Sequence, residues 1–461
     1  MLKKGLRLIS LLLVLSFVLI PGLALAANDW PQFHNDTANT GYSASNAPAT
    51  ADLAWESEEV NATPGSNPAV ANGKIFVYGN DRLTCLKEES GETLWQTSLE
   101  AAHLWGAWQS PAYANGKVFI GSGKYLYCLA EDSGGELWKY KFPTNRGPCN
   151  GSPKVAGGKV IVGDWDGGFY YCLDENSGDF KWKYAVTGNA QGTPAYVDGK
   201  VYLTSWSYRT ENNAHIYCLN AETGALIWHQ GDLTHDDEEG TCGSPTIAEG
   251  KVFVTTYNFY GDGKIAALDA AGGDILWQKT TNRTDATPAY AGGKIYICGG
   301  CLGFAEPVTT SCFNADTGEL IWLKNDKGNW TCSVAVADGK VFVGKPGSTA
   351  FSDFDYLETY ALNAENGGTI WSYAGGGSSP AVANGRVYTL GGGKVYAFGQ
   401  LEQEYPDWDV NKDNNVNVLD MICVGQKFGQ TGSPGWIRED VNKDGEINVL
   451  DMILIGQHWT G

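Results

Sequence analysis

The chain has 461 residues, a formal net charge of −20 at pH 7, 60 glycines and 12% aromatic residues. This length exceeds one ordinary domain, and the negative charge excludes nucleic acid as a partner, because few basic groups are left to displace counterions from phosphate. Abundant glycine and aromatic residues favour short strands joined by tight turns.

The N-terminus reads as a secretory signal. Lys3, Lys4 and Arg7 precede an apolar run over residues 8–20, and Ala24-Leu25-Ala26 supplies a small-x-small cleavage pattern. The run is too short to span a bilayer, and no later stretch is apolar enough to do so. We therefore expect a signal peptide over residues 1–26 and a mature protein that is secreted, either extracellular or associated with the cell surface.

A strand–turn–tryptophan phrase recurs along the next 300 residues or so. Each copy places a Trp nine residues after a Leu or Phe at the end of a strand. The copies run from Leu86 to Trp95, Leu129 to Trp138, Leu173 to Trp182, Leu219 to Trp228, Leu268 to Trp277, Phe313 to Trp322 and Leu362 to Trp371. A period of about 40–50 residues with four short strands per copy is typical of propeller blades.

Eight blade starts are visible, most of them Ser-Pro or Thr-Pro, from Asn67-Pro68 to Ser379-Pro380. The eighth copy ends at Phe398 without a Trp strand, whereas Leu53-Ala54-Trp55 supplies one near the other end of the chain. The sequence thus predicts an all-β fold: an eight-bladed propeller over residues 51–399, whose last blade is closed by an N-terminal strand. Residues 27–50 form an N-terminal segment.

Ten of the 11 cysteines lie in the predicted propeller and fall into three groups. Cys85, Cys128, Cys172, Cys218 and Cys312 occupy one repeat position, where other copies carry Ala, so this position is predicted to be core. Cys298-Gly-Gly-Cys301 follows a strand and is interpreted as a local disulfide or as free thiols. Cys149, Cys242 and Cys332 lie just before first strands and show no metal-binding spacing.

The phrase Leu219-Asn-Ala-Glu-Thr-Gly-Ala-Leu-Ile-Trp228 resembles the tryptophan-docking repeat of quinoprotein dehydrogenases, and of the outer-membrane assembly lipoprotein with the same ring. The resemblance implies that each Trp packs between neighbouring blades. Quinoprotein enzymes also hold their quinone beneath a disulfide between adjacent cysteines. Because this chain has no Cys-Cys pair, pyrroloquinoline quinone is not expected and no catalytic or cofactor-binding residue is assigned.

Loops of unequal length all fall on one face of the predicted ring, where function on a repeat scaffold usually lies. Their aromatic residues form a candidate ligand site: Trp105, Trp108, Trp206, Tyr208, Phe259, Tyr260 and Trp330. Three interpretations stay open, namely that these rings only cap the propeller, that they bind carbohydrate or protein, or that they belong to a catalytic site.

A duplicated acidic loop follows a linker over residues 400–408. Oxygen donors recur at the spacing of an EF-hand-like calcium loop. The predicted ligands are Asp409, Asn411, Asp413, Asn415, Asn417 and Asp420 in loop one, and Asp440, Asn442, Asp444, Glu446, Asn448 and Asp451 in loop two. A short apolar helix follows each loop. Residues 409–461 resemble a type I dockerin, which implies two calcium ions and a cohesin-bearing partner.

In dockerins the last loop positions and the following helix contact the cohesin. The corresponding residues are Val418, Leu419, Gly425, Gln426, Val449, Leu450, Gly456 and Gln457. Relatives often carry Ser or Thr at the Val-Leu positions, so these side chains are interpreted either as contacts to a partner or as core. Near-identity of the copies implies two binding orientations. We also expect Trp459 to stack on Pro406 or Trp408 and to clasp the ends of the module.

The sequence therefore predicts a secreted, non-catalytic binding or scaffold propeller that a calcium-dependent dockerin attaches to a cohesin partner. Its loop face would bind polysaccharide or a second protein. The alternative is a quinone-dependent dehydrogenase, or another carbohydrate-active enzyme, that uses the same face.

Overall fold

A computed structural model describes residues 28–101, 108–144, 147–148, 150–206, 215–231, 233, 239–240, 243–258, 262–346, 356–401, 405–413 and 415–460. The predicted signal peptide lies outside the described residues, as do Cys149, Cys242 and Asn414. The chain divides into two compact units, one ending at Gln400 and the other beginning at Leu401.

The described part of the first unit forms eight sheets, which are antiparallel except where β1 pairs in parallel with β28. Two strands precede the first complete sheet: β1 (Tyr42–Ser43) and β2 (Leu53–Glu56). Blade 1 contains β3 (Ala69–Ala71), β4 (Lys74–Tyr78), β5 (Arg82–Lys87) and β6 (Thr93–Ser98). Blade 2 contains β7 (Ala112–Ala114), β8 (Lys117–Ser122), β9 (Tyr125–Ala130) and β10 (Glu136–Lys141). Blade 3 contains β11 (Lys154–Ala156), β12 (Lys159–Asp164), β13 (Phe169–Asp174) and β14 (Phe180–Ala185). Blade 4 contains β15 (Ala195–Val197), β16 (Lys200–Ser205), β17 (His215–Asn220) and β18 (Leu226–Gln230).

The later blades repeat this order. Blade 5 contains β19 (Glu239–Gly240), β20 (Thr246–Ala248), β21 (Lys251–Asn258), β22 (Gly263–Asp269) and β23 (Ile275–Thr281). Blade 6 contains β24 (Ala289–Ala291), β25 (Lys294–Gly299), β26 (Thr309–Asn314) and β27 (Leu320–Asn325), with a 3-10 turn at Leu302–Phe304. Blade 7 contains β28 (Ala335–Ala337), β29 (Lys340–Pro346), β30 (Tyr356–Asn363) and β31 (Thr369–Tyr373). Blade 8 contains β32 (Ala381–Ala383), β33 (Arg386–Gly391) and β34 (Lys394–Phe398).

The predicted closure of blade 8 is confirmed. Strand β2 pairs antiparallel with β34 and places Trp55 opposite Ala397. Complete blades use the same register, with Trp95 opposite Cys85 in blade 1. The two ends of the ring are therefore joined in one sheet, which leaves no open edge where the ring closes.

The docking tryptophans join each blade to the next around the whole ring, as the resemblance implies. Each indole N–H donates to a backbone carbonyl at 2.8–3.2 Å. The pairs are Trp55–Glu88, Trp95–Glu131, Trp138–Glu175, Trp182–Ala221, Trp228–Ala270, Trp277–Ala315, Trp322–Ala364 and Trp371–Pro48. In most blades, a turn glycine of the next blade lies against the docking indole. A Cβ on Gly318, for example, would come within 2.6 Å of Trp277. The fixed Gly-to-Trp pattern is thus a packing requirement.

The residue that opens each blade, Asn67 in blade 1 and a Ser or Thr in the other seven, has a role that the sequence did not predict. Seven backbone N–H groups donate to the hydroxyl of the next blade's opening residue at 2.8–3.2 Å. This chain of bonds runs from Asn67 through Ser110, Ser152, Thr193, Ser244, Thr287 and Ser333 to Ser379. The Asn67 amide closes the circle by donating to the Ser379 carbonyl at 2.8 Å. We call these eight residues the hydroxyl ring.

The N-terminal segment forms a strap inside the central channel, which the sequence did not predict. Over residues 28–45 it passes every blade in order and accepts hydrogen bonds from the inner strands. Examples are Val70 to the Trp30 carbonyl, Tyr196 to Thr37 and Val336 to Gly41. In blade 3 the buried ammonium of Lys154 donates to the carbonyls of Phe33 (3.1 Å) and Asp36 (2.7 Å). The strap therefore satisfies inner edges that would otherwise face the channel.

The second unit contains two helices, α1 (Val418–Lys427) and α2 (Val449–Gln457). Each begins with a capping box, formed by Asn417 with Asp420 and by Asn448 with Asp451. Its small core is made of equivalent residues from the two copies, Val410, Val416 and Val424 with Val441, Ile447 and Ile455. Together with the eight-bladed ring, this confirms the predicted fold class.

Candidate calcium-binding loops and central funnel

Loop one is held in shape by its own carboxylates. Backbone N–H groups of Asn411 and Asn417 donate to the two oxygens of Asp420 at 3.0 and 2.8 Å. The N–H of Asp413 is shared between Asp409 Oδ1 and Asn411 Oδ1, each 3.1 Å away, and that of Asn415 donates to Asp413 Oδ1 at 2.8 Å. The position-12 carboxylate thus closes the loop and caps the helix at once.

Loop two repeats this geometry bond for bond. Asn442 and Asn448 donate to Asp451 at 3.1 and 2.8 Å. Asp444 N lies 3.1 Å from Asp440 Oδ1 and 3.0 Å from Asn442 Oδ1, and Glu446 N lies 2.8 Å from Asp444 Oδ1. The sixth position, Gly445, has φ +89°, the left-handed conformation that glycine permits.

The burial of the loop carboxylates indicates that these loops fit a cation. Asp409, Asp420, Asp440 and Asp451 are almost completely buried, and within the described part of this unit Asp420, Asp440 and Asp451 form no ion pair. Buried carboxylates are costly without a compensating charge. Among the same described residues, no group of three His, Cys, Asp or Glu side chains could hold a metal ion on its own. Coordination would therefore combine carboxylates with Asn and backbone oxygens, the donor set that Ca²⁺ prefers.

The predicted partner-binding residues lie on the surface. Val418 and Leu419 are 55% and 49% exposed, and Val449 and Leu450 are 56% and 50% exposed. Their interpretation as core residues is therefore wrong, because the helices turn Val424 and Ile455 inward instead. The two apolar pairs occupy equivalent positions of the two copies.

The glycines of the same predicted set lie where the helices cross. A Cβ on Gly425 would be 3.6 Å from Met452, and one on Gly456 would be 3.5 Å from Met421. Each glycine thus faces the other helix's methionine in a reciprocal arrangement. Gln426 and Gln457, the next residues, are exposed.

The expected clasp forms through a different residue. Trp408 stacks on His458, with ring centroids 3.5 Å apart and an interplanar angle of 6°, whereas Trp459 is 45% exposed. The prediction that Trp459 stacks on Trp408 is therefore wrong. Thr460 also pairs with Val416 through its backbone N–H at 2.9 Å, so the chain end is tied to loop one.

A polar funnel with a cavity volume of about 50 Å³ opens at the centre of the propeller. Phe33 of the strap and members of the hydroxyl ring line it, together with Trp108, Asn150, Gln191, Asp285 and Thr331. The Asn150 side-chain oxygen is buried and has no hydrogen-bond partner among the described residues. The funnel therefore presents neutral donors and acceptors, one carboxylate and one indole to a small polar group.

The predicted aromatic site is brought together only in part. Trp108 lines the funnel, whereas Trp105, Tyr208, Phe259 and Tyr260 lie outside the described residues. Trp330 is only 9% exposed; its predicted exposure is wrong, because its backbone bridges Gly300 and Asp285 between blades. Trp206 stacks on Trp165 at 6.3 Å.

Trp165 was missed by sequence reasoning. It lies in the short turn between β12 and β13, where no loop insertion marks it, and its indole N–H donates to Gln191 Oε1 at 2.9 Å. Because Gln191 lines the funnel, the Trp165–Trp206 pair lies beside the funnel between blades 3 and 4. The sequence signal was the pair of acidic residues that flanks Trp165 in a turn of otherwise small residues.

The described lining does not fit a quinone cofactor. Pyrroloquinoline quinone carries three carboxylates, so its site needs basic side chains or a metal. Within the described lining there is no basic residue, and the one charged side chain is Asp285. The Asp285 carboxylate would also repel a second anion bound beside it.

The fold and the sites define a class of protein: a ring of tryptophan-docking, quinoprotein-like blades joined to a module of paired EF-hand-like loops. The chain belongs to the family described as outer membrane protein assembly factor BamB, which matches residues 43–128, 122–300 and 308–409. Residues 407–458 match the type I dockerin domain. Both resemblances are thereby confirmed. Across the described residues, no helix has the length and apolar character needed to span a membrane.

Curated relatives are similar to parts of the ring. The dehydrogenase subunit of a quinone alcohol dehydrogenase from Gluconobacter oxydans is 28% identical over 41% of this chain and 24% of its own length. Tetrathionate hydrolase from Acidithiobacillus ferrooxidans is 30% identical over 43% of this chain and 42% of its own length. The chain thus spans less than half of either relative.

Solved structures support the fold alone. BamB from Moraxella catarrhalis superposes with a TM-score of 0.58 at 17% identity, covering 75% of this chain and 99% of that one. A europium-containing methanol dehydrogenase gives 0.65 at 14% identity, covering 81% and 98%.

Proposed function

We propose that this protein is a secreted, non-catalytic propeller that a calcium-dependent dockerin attaches to a cohesin-bearing partner, in a cellulosome-like or cell-surface assembly. The observation that carries the proposal is the bond-for-bond repetition of the two acidic loops and the exposed apolar pair that begins each following helix.

Calcium has a structural role in this proposal. Two ions would be held by Asp409, Asn411, Asp413, Asn417 and Asp420 and by their counterparts from Asp440 to Asp451, with backbone carbonyls at Asn415 and Glu446. Since each loop buries two carboxylates, the ions would offset a repulsion that otherwise opposes folding. Cohesin binding should therefore require calcium.

The two apolar pairs point to the chemistry of the cohesin surface. Val418-Leu419 and Val449-Leu450 would lie on an apolar patch, in contrast to the hydroxyl-bearing residues of many relatives. Because the copies are related by pseudo-two-fold symmetry, the module could present either helix to the same patch. Loss of one pair should then be tolerated and loss of both should not.

A pull-down from the source organism's secretome tests this function. Immobilised full-length protein should capture a cohesin-bearing protein in Ca²⁺ but not in EDTA. With that partner purified, Leu419→Asp or Leu450→Asp alone should weaken binding by about twofold, the statistical cost of losing one orientation. The double variant should weaken it at least tenfold, as for a lost hot spot.

Leu137→Asp provides a matched control, because Leu137 is an apolar side chain of similar exposure on β10 of the propeller. It should leave the affinity unchanged. Capture that persists in EDTA, or a double variant that binds like wild type, contradicts the proposed attachment.

The funnel is our candidate binding site for the propeller's own ligand, which would be a polysaccharide or a second protein. The unpaired Asn150 oxygen and the Trp108 ring offer a hydrogen bond and a stacking surface. A glycan array probed with the full chain and with Trp108→Ala tests this idea. Glycan signals that vanish with Trp108 support a sugar ligand, whereas an array without signal favours a protein ligand.

The second candidate is a quinone-dependent dehydrogenase, which the quinone alcohol dehydrogenases among the relatives favour. Incubation with pyrroloquinoline quinone and Ca²⁺, followed by dye-linked oxidation of alcohols and sugars, tests it. Bound quinone absorbance with turnover would replace the non-catalytic proposal; neither is expected.

A further inference from the structure

Two buried cysteines from neighbouring blades meet beneath the loop that connects them. Cys298 is the penultimate residue of β25 in blade 6, and Cys332 lies just before β28 in blade 7. Both are fully buried in one apolar cluster, and their thiols hydrogen-bond to each other.

A tight turn fixes the two sulfur atoms. Cys332 N–H donates to the Asn329 carbonyl at 3.0 Å, and the Asn329 N–H donates to the Cys298 sulfur. Cys298 Sγ also lies 3.5 Å from Thr310 Oγ1, and Gly344 N–H donates to Cys332 Sγ at 3.4 Å. The Cys332 sulfur thus lies at the end of a four-residue turn, and the Cys298 sulfur accepts from the N–H at the start of that turn.

The chemistry of this pair differs from that of the repeat cysteines. Burial raises the pKa of Cys85, Cys128, Cys172 and Cys312 to about 12, so these thiols stay protonated and inert. Burial also opposes ionisation of Cys298, but its hydrogen bonds to Cys332, Thr310 and Asn329 outweigh burial and lower its pKa. The bond to Cys298, together with burial, raises the pKa of Cys332. A cysteine with a lowered pKa beside one with a raised pKa is typical of an attacking and a resolving thiol.

We propose that Cys298 and Cys332 form a disulfide that covalently joins blades 6 and 7. Cys298, Cys301 and Cys332 are all free thiols in the structure. The hydrogen bond between the Cys298 and Cys332 thiols favours this pairing over the Cys298–Cys301 bond considered from the sequence.

The oxidant is a small disulfide such as glutathione disulfide. The Cys298 thiolate attacks it, forming a mixed disulfide and releasing one glutathione thiolate. Cys332 then loses its proton and attacks Cys298 Sγ, which releases the second glutathione. Two protein thiols become one disulfide, one small disulfide becomes two thiols, and the two protein protons end on glutathione. Because both sulfurs are buried, the exchange takes place before the blades pack or while they open.

Peptide mapping of the full-length chain tests the proposal. Protein refolded in a glutathione redox buffer is alkylated in denaturant and digested with trypsin without reduction. Cleavage after Lys294, Lys324, Lys327 and Lys340 puts Cys298 in peptide 295–324 and Cys332 in peptide 328–340. We expect these two peptides to be cross-linked, and to separate on reduction.

Matched variants assign the sulfur within peptide 295–324, which also contains Cys301 and Cys312. Cys298→Ala and Cys332→Ala should abolish the cross-link, whereas Cys301→Ala and Cys312→Ala should retain it. Wild-type mapping decides the matter if a variant does not fold. Three results would overturn the proposal. These are a disulfide within peptide 295–324, a stable glutathione adduct on Cys298, or full alkylation of both cysteines.

Discussion

The propeller and the dockerin are both built by internal repetition, but they are stabilised by opposite means. Each blade joins the next through a docking indole and a neutral hydroxyl. Where a carboxylate is buried between blades, as at Glu131 and Glu175, a lysine of the preceding blade pairs with it. The dockerin has a core of about six aliphatic residues and buries four carboxylates. A large repeat can be self-sufficient, whereas a module this small needs an added ligand.

Removing calcium should produce the largest difference between the two units. EDTA, or the double variant Asp409→Ala with Asp440→Ala, should unfold the dockerin helices and leave the propeller's thermal transition unchanged, because the small dockerin core surrounds four buried carboxylates that calcium would neutralise. Far-ultraviolet circular dichroism and calcium titration calorimetry would follow this. Asp407→Ala is the control, since Asp407 is a half-exposed ion-pair partner of Lys443. A dockerin that stays helical without calcium contradicts the comparison.

Truncating a docking tryptophan should act on the propeller alone. Trp277→Ala removes a buried ring and its bond to Ala315, and should lower the free energy of unfolding by about 3–5 kcal/mol. Trp277→Phe, which removes mainly the hydrogen bond, should cost about 1 kcal/mol. Denaturant unfolding monitors the loss, and calcium affinity should not change. Equal effects of the two substitutions would show that the ring itself contributes little.

The strap makes the propeller sensitive to pH through Lys154. Burial lowers the pKa of Lys154 to about 7, below its value in the unfolded chain. Between these values the unfolded state binds more protons, so stability should rise with pH, by up to about 1.4 kcal/mol per unit. Unfolding free energies at pH 7 and 8.5 should show this rise in wild type and a smaller one in Lys154→Met. Parallel pH profiles would rule Lys154 out.

The smallest effect is expected at the dockerin clasp. His458→Ala removes the stack on Trp408 and should lower the stability of the calcium-loaded module by about 0.5–1.5 kcal/mol. Trp459→Ala, the adjacent exposed ring, should change it by less. Thermal melts in saturating Ca²⁺ distinguish the two, and a larger loss from Trp459→Ala would reverse the assignment.

Strict spacing made parts of both units predictable. A Trp nine residues after a strand end, and oxygens at fixed loop positions, are local patterns with one three-dimensional solution each. By contrast, the strap's residues 28–45 have no repeat and little regular structure. Their path through the channel depends on hydrogen bonds to blades 300 or more residues away, such as the His34–Val334 contact and the bond from the Gly385 N–H to Ser45 Oγ. The exposure of Val418 and burial of Trp330 likewise depend on packing that no local pattern specifies.

The sequence by itself determined the number of blades, the strand that closes the ring and the two acidic loops, because these follow from periodicity and from the chemistry of each residue type. Only the tertiary structure decided which side chains meet across blades. It joined the hydroxyl ring, opened the funnel over Phe33 and brought Cys298 to Cys332. Those contacts depend on how whole sheets stack around a common axis, and the distances that result are not encoded in any short segment.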